Sequence, residues 1–184
     1  MEGKDLGKLS EMAIDLKNSQ VVGFLIEDKK GRKMFLPIGN VDTYGKDVVM
    51  ASSESDMKKM DDLAGKADAI ALAEKIIGLK IITEQGEAVG EIASFCFDEK
   101  SGLITHYVTS KGVLGDFMDG KGLLPREGVC AFSLDALVVA QRSVEISDIM
   151  KVEPGMKQKI NAVVYETEIK AKAAIMKVEK IVNT

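Results

Sequence analysis

The sequence predicts a mainly β protein with helices: two tandem small antiparallel β-barrels, a linker helix between them and a long C-terminal amphipathic helix. Three observations predict this. One β pattern occurs twice, with Gly7 and Gly90 standing 83 residues apart as its matching seeds. The stretch between the copies carries apolar residues at helical spacing, and so does the last part of the chain.

The repeat rests on chemistry more than on identity. Gly7/Gly90, Asp15/Asp98 and Lys17/Lys100 are identical, while Leu9/Ile92, Met12/Phe95, Ile14/Phe97, Val21/Ile104 and Phe24/Tyr107 each keep an apolar side chain. Five extra residues then enter the second copy. The match resumes at Leu36-Pro37 and Leu124-Pro125, and it runs through Val41/Val129 and Asp47/Asp135 to Val49/Leu137. Tandem modules explain such spacing better than one large fold.

Each element of the first copy has a local cause. Met12 and Ile14 alternate with Ala13 and Asp15, the period of a half-buried strand. Asn18-Ser19 turns the chain into the β-rich run Val21-Val22-Gly23-Phe24-Leu25-Ile26. A second turn at Asp28-Lys29-Lys30-Gly31 leads to Lys33-Met34-Phe35-Leu36, which Pro37 ends because proline has no N–H for a ladder. Val41 and Val48-Val49-Met50 close the module.

The second copy has one strand more, at Gly78-Leu79-Lys80-Ile81-Ile82. Its counterpart in the first copy would fall before the first residue. The first module therefore lacks its opening strand, and either a preceding segment or another part of the chain must fill the place. An unfilled place would leave a strand edge able to pair with another chain.

Between the copies, Met57, Met60, Ala64, Ala67 and Ala71 recur three and four apart, widened by Leu63 and Ile70. After Pro154-Gly155, Met156, Ile160, Val163, Val164, Ala171, Ala174, Ile175, Val178, Ile181 and Val182 share one stripe. Glu166 with Lys170 and Glu168 with Lys172 add support at four-residue spacing. These readings give a first module over 1–52, a helical linker over 53–76, a second module over 77–141 and a C-terminal extension with its long helix over 142–184.

Composition narrows the function. The net charge of −4 does not make the basic stripe that nucleic acid requires, so no nucleic-acid partner is expected. The N-terminus has no apolar leader, and no apolar run reaches the ~18 residues of a membrane span. The expected compartment is the cytoplasm. Cys96 and Cys130 read as reduced small hydrophobes, with a disulfide between them as the alternative.

The residues Gly78-Leu79-Lys80-Ile81-Ile82, Gly86-Glu87-Ala88-Val89-Gly90-Glu91-Ile92, Phe97-Asp98-Glu99-Lys100-Ser101-Gly102, Leu123-Leu124-Pro125 with Val129, and Asp135-Ala136-Leu137-Val138-Val139 resemble the PRC-barrel pattern. The first copy repeats it in truncated form through Gly7-Lys8-Leu9, Ile14-Asp15, Val21-Val22-Gly23-Phe24-Leu25, Phe35-Leu36-Pro37 and Val48-Val49. The resemblance covers residues 3–50 and 76–140 and is similar to that of bacterial tandem PRC-barrel proteins. It implies an interaction and assembly module rather than a reaction. The best-known members are the H subunit of purple bacterial reaction centres and a ribosome maturation factor. Neither specific role transfers, because the membrane anchor of the one and the N-terminal domain of the other have no counterpart in this sequence.

Candidate sites are few. Gly115-Asp116-Phe117-Met118-Asp119-Gly120-Lys121 has the glycine and lysine spacing of a phosphate loop, but Gly122 stands where magnesium needs a hydroxyl. Within that loop, Phe117 and Met118 are either a partner-docking knob or a lid over the barrel mouth. His106 is the single histidine and has no nucleophile or orienting acid fixed beside it. With Cys96 and Cys130 it falls short of a zinc set, so neither metal nor cofactor is expected. Asp61-Asp62 and Asp98-Glu99 read as solvated charges.

The expected function is therefore that of a non-enzymatic module without catalytic residues. It would bind a protein partner through barrel surfaces and loop 112–122, with the last helix mediating homo-oligomer assembly. Two alternatives stand beside it. One is a small-molecule site at the inter-barrel junction near His106 and Tyr107. The other is peripheral membrane association through the basic C-terminal helix.

Overall fold

A computed structural model describes residues 3–45, 48–59, 70–110, 122–144, 163–165 and 175–179. The first copy forms β1 (Gly3–Asp15), β2 (Gln20–Glu27) and β3 (Lys33–Pro37) in an antiparallel meander, then β4 (Val41–Tyr44) and β5 (Val49–Ala51) as a separate pair. Gly7 lets β1 pass close under the second turn. It adopts φ 142, and a Cβ there would sit 2.3 Å from the Glu27 carbonyl oxygen.

The second copy repeats this in β9 (Ala88–Phe97), β10 (Ile104–Ser110), β11 (Gly122–Pro125), β12 (Val129–Phe132) and β13 (Ala136–Val139), preceded by β8 (Lys80–Thr83). The repetition reaches the register. Met12 pairs with Phe24 as Phe95 pairs with Tyr107, and Ala13 with Gly23 as Cys96 with His106. Both hairpins slip at the same two places, so Ser10 and Ala93 are skipped in the first strand, and Val22 and Thr105 in the second. Val41 opposite Ala51 matches Val129 opposite Val139. The apolar pattern specifies this register, since a one-residue slip would turn the core residues outward.

Among the described residues neither copy closes into the barrel that the sequence predicts. The larger sheets run as open paths, β11-β10-β9-β8-β13-β12 in the second copy. The break has a local cause in each. Pro37 and Pro125 end their strands and lead into one turn of 3-10 helix, Ile38–Asn40 and Arg126–Gly128, so the ladder stops before the next strand.

The copies do not keep separate cores. One cluster of buried side chains runs from Met12, Ile14, Phe24 and Leu36 to Ile81, Phe95, Phe97, Tyr107 and Leu137. Tyr44 bridges them with edge-on contacts to Phe24 at 6.0 Å and to Phe97 at 6.1 Å between ring centroids. Each fully buried large side chain of this kind contributes about 1.5–3 kcal/mol of transfer free energy.

The expected linker helix is replaced at both of its described ends. A 3-10 turn at Glu54–Asp56 and the short strand β6 (Lys58–Lys59) begin the segment, and residues 60–69 lie outside the described residues. Beyond them, β7 (Ile70–Leu72) and the single helical turn α1 (Ala73–Ile76) end it. Ile70 and Leu72 pack on Ala13, Leu25 and Phe35 on the outer face of the first sheet. That burial overrides helical spacing.

Most of the expected C-terminal helix lies outside the described residues. Two pieces of its span are described, and both are strands. β14 (Val163–Tyr165) pairs with β9, and β15 (Ile175–Glu179) pairs with β1. Each has a counterpart in the other copy. β14 stands on β9 as β7 stands on β1. β15 stands on β1 as β8 stands on β9, with Met176 opposite Gly7 as Ile81 is opposite Gly90. The opening-strand place of the first module is thus filled from the far end of the chain.

Candidate functional site

The most distinctive constellation is the junction where the first turn of each copy meets the other. Asp15 accepts from the Asn18 amide at 3.1 Å and shapes the turn that ends in Ser19, whose φ is 49. Asp98 does the same in the second copy, accepting from the Ser101 amide at 2.8 Å ahead of Gly102, φ 74. Asp side chains build such turns by holding the backbone two or three residues on. The hydrogen bonds from Ser101 keep the Asp98 carboxyl below the usual range.

These turns exchange backbone bonds reciprocally. Val21 N–H donates to the Gly102 carbonyl at 2.8 Å, and Ile104 N–H donates to the Ser19 carbonyl at 2.9 Å. Val21 and Ile104 occupy equivalent positions, as do Ser19 and Gly102, so the contact is isologous within one chain. Gln20 Nε2 adds a bond to the Ser101 carbonyl at 2.6 Å, and Arg126 adds one to the Asn18 carbonyl at 3.2 Å.

Tyr107 lies beneath this seam with no exposed surface, its ring edge-on to Phe132 at 5.6 Å. Burial pushes its hydroxyl up to about 12, against the opposing pull of Ser19 and Arg126. Tyr44 is raised further, by burial first and then by the charges of Glu99 and Asp98.

Of the residues that the sequence singled out, the structure sets Cys96 and His106 opposite each other on β9 and β10. His106 neighbours Tyr107 on β10, so the two project to opposite faces, Tyr107 into the core. His106 stands across from Cys96 and is half-buried. Its counterpart Gly23 is bare because the Phe35 ring occupies that space, 2.4 Å from where a Cβ would be. In the second copy His106 takes the same position, opposite Pro125 as Gly23 is opposite Pro37, and Leu123 stands where the first copy has Phe35.

Cys96 is 1% exposed, and burial lifts its thiol to about 11. Cys130 is exposed, and both thiols are free, so no disulfide joins them. Among the described residues no three His, Cys, Asp or Glu side chains gather to hold a metal ion. Asp98 is committed to its turn, whereas Asp61-Asp62, Phe117, Met118 and the rest of loop 112–121 lie outside the described residues. No helix among the described residues is long and apolar enough to cross a membrane.

Sequence reasoning named a junction near His106 and Tyr107 but missed the paired turns that build it. Their signal was available, because the repeat aligns Ser19 with Gly102 in matching turns after matching Asp residues.

Fold and seam together define a two-fold repeated β protein whose halves are joined by a common core. The model of the PRC-barrel domain matches residues 1–57 and 70–156, and the chain belongs to that family. A comparison with curated proteins finds no match.

Proposed function

We propose that the protein is a non-enzymatic interaction and assembly module of the PRC-barrel type. It binds a protein partner through its barrel-like surfaces and loop 112–122. The observation that supports this is the repetition of the β1–β2 hairpin, with its register and both slips, as β9–β10 in a second copy fastened to the first by one core and a reciprocal seam. Such a body presents two equivalent surfaces in a fixed relation, which suits a scaffold better than a single reaction centre. Phe117 and Met118, flanked in sequence by Asp116 and Asp119 and then by Gly115 and Gly120, supply the apolar anchors that interfaces favour.

The test uses the full chain as bait, cross-linked in its native host, with the contact residues mapped by mass spectrometry. A reproducible partner cross-linked to both copies, and lost in a Phe117→Ser/Met118→Ser variant that still folds, supports the reading. Recovery of no reproducible partner counts against it. The small-molecule alternative at the junction has less support. Tyr107 is wholly buried there and the seam is closed by direct backbone bonds, so a ligand would have to displace core side chains.

A further inference from the structure

We propose that β15 is exchangeable between two copies of this chain, so that in a dimer the Ile175–Glu179 strand of each copy closes the first module of the other. The argument begins with where the strand comes from. β7 lies on β1 of the first module, and the chain then passes through α1 to β8, the opening strand of the second. β14 lies on β9 of the second module, and the chain returns to deliver β15 to the first. Each module thus receives its opening strand across the seam.

The receiving place is made of backbone. Gly3, Lys4, Asp5, Gly7 and Lys8 of β1 pair with Glu179, Val178, Lys177, Met176 and Ile175, skipping Leu6 as β9 skips Val89. A ladder of main-chain bonds is satisfied equally by a strand of its own chain or by the identical strand of another. Exchange therefore leaves the contacts unchanged, which makes strand swapping a low-cost route to dimers.

The two opening strands are not equally secured. β8 is hydrogen-bonded on both sides, antiparallel to β9 and parallel to β13. β15 is laddered to β1 alone among the described residues and lies against β5 without a ladder. It is the end strand of its path, and when it lifts off, β1 presents an open edge that seeks a strand. Concentration then decides whether the strand that returns belongs to the same chain.

The experiment uses two full-length variants, Lys4→Cys and Val178→Cys, each adding one cysteine to a Cys130→Ser background in which the remaining Cys96 is buried. These positions are directly opposed, and opposed Cα atoms of an antiparallel pair lie about 4.5–5.5 Å apart, within disulfide reach. The two variants, differing in mass by a tag, are mixed at high concentration and oxidised. A mixture of Lys4→Cys with Lys100→Cys, on the exposed turn of the second copy, gives the collisional background. The expected result is a disulfide between unlike chains several-fold above that background and rising with protein concentration. If Lys4→Cys/Val178→Cys in one chain closes internally while the mixture stays at background, the strand is held in its own chain and the exchange is refuted. If neither cross-link forms, β15 does not occupy the β1 edge and the proposal falls as well.

Discussion

Ser19 and Gly102 play one part in two places: each ends a turn in the left-handed region, and the carbonyl of each accepts a backbone bond from the other copy, at 2.9 and 2.8 Å. The two are not interchangeable in tolerance. A Cβ on Gly102 would lie 2.2 Å from the Val21 carbonyl oxygen.

Gly102→Ala should therefore be destabilising by more than about 1 kcal/mol, because strain and collision act together. Ser19→Gly relieves a positive φ but removes the side chain set against the Tyr107 hydroxyl, so it should cost less than Gly102→Ala. Urea midpoints of the two variants at constant slope measure the difference, and equal effects would contradict the seam geometry.

A shared core also predicts shared unfolding. Phe24→Ala in the first copy and Phe95→Ala in the second should each cost about 3–5 kcal/mol, since both rings are buried. Each should lower one common transition rather than one of two. Calorimetry showing two separable transitions, each answering to its own mutation, would show independent modules instead.

His106 and Gly23 offer a test of how one register position is filled. Gly23→Ala places a methyl 2.3 Å from the Leu36 carbonyl oxygen and 2.4 Å from the Phe35 ring, so overpacking should cost about 1–3 kcal/mol. His106→Ala, at the same position of the second copy, where the side chain is half-buried, should cost less. Thermal melts of the two variants check this ordering.

The two thiols should differ sharply in reactivity. Cys130 is exposed and should label rapidly with a thiol reagent at pH 8. Cys96, 1% exposed and raised to about 11, should label only as the protein opens. Counting modified thiols against time in native buffer and in urea gives the answer.

Alkaline pH should unfold the protein, with a sign set by these same groups. Cys96 rises from 9.0 to about 11 and Tyr107 from 10.0 to about 12 on folding, so the native state holds both protons more tightly. Their contribution is complete below pH 9, where both states keep the protons. It declines as pH climbs through 9 to 12, where the unfolded chain ionises first. Tyr44 is raised in the same direction, by burial and by Glu99 and Asp98. A Tyr44→Phe variant should lose less stability between pH 9 and 12 than the parent does.

Much of this was readable in one dimension. Alternation at Met12 and Ile14, the repeated Asp15 and Asp98, and the Leu-Pro ends at Pro37 and Pro125 act over a few residues, so strand identity and the duplication itself were legible. The linker was not, because Ile70, Ala71 and Leu72 satisfy helical spacing and strand burial alike, and the need to cover the apolar outer face of Ala13, Leu25 and Phe35 chose between them. Nor could spacing reveal that Tyr44 would join Phe24 to Phe97, or that Ile175–Glu179 would pair with Gly3 and Lys8. Those contacts link residues far apart along the chain. What selects them is which buried surfaces and open strand edges remain to be covered once the local elements have formed.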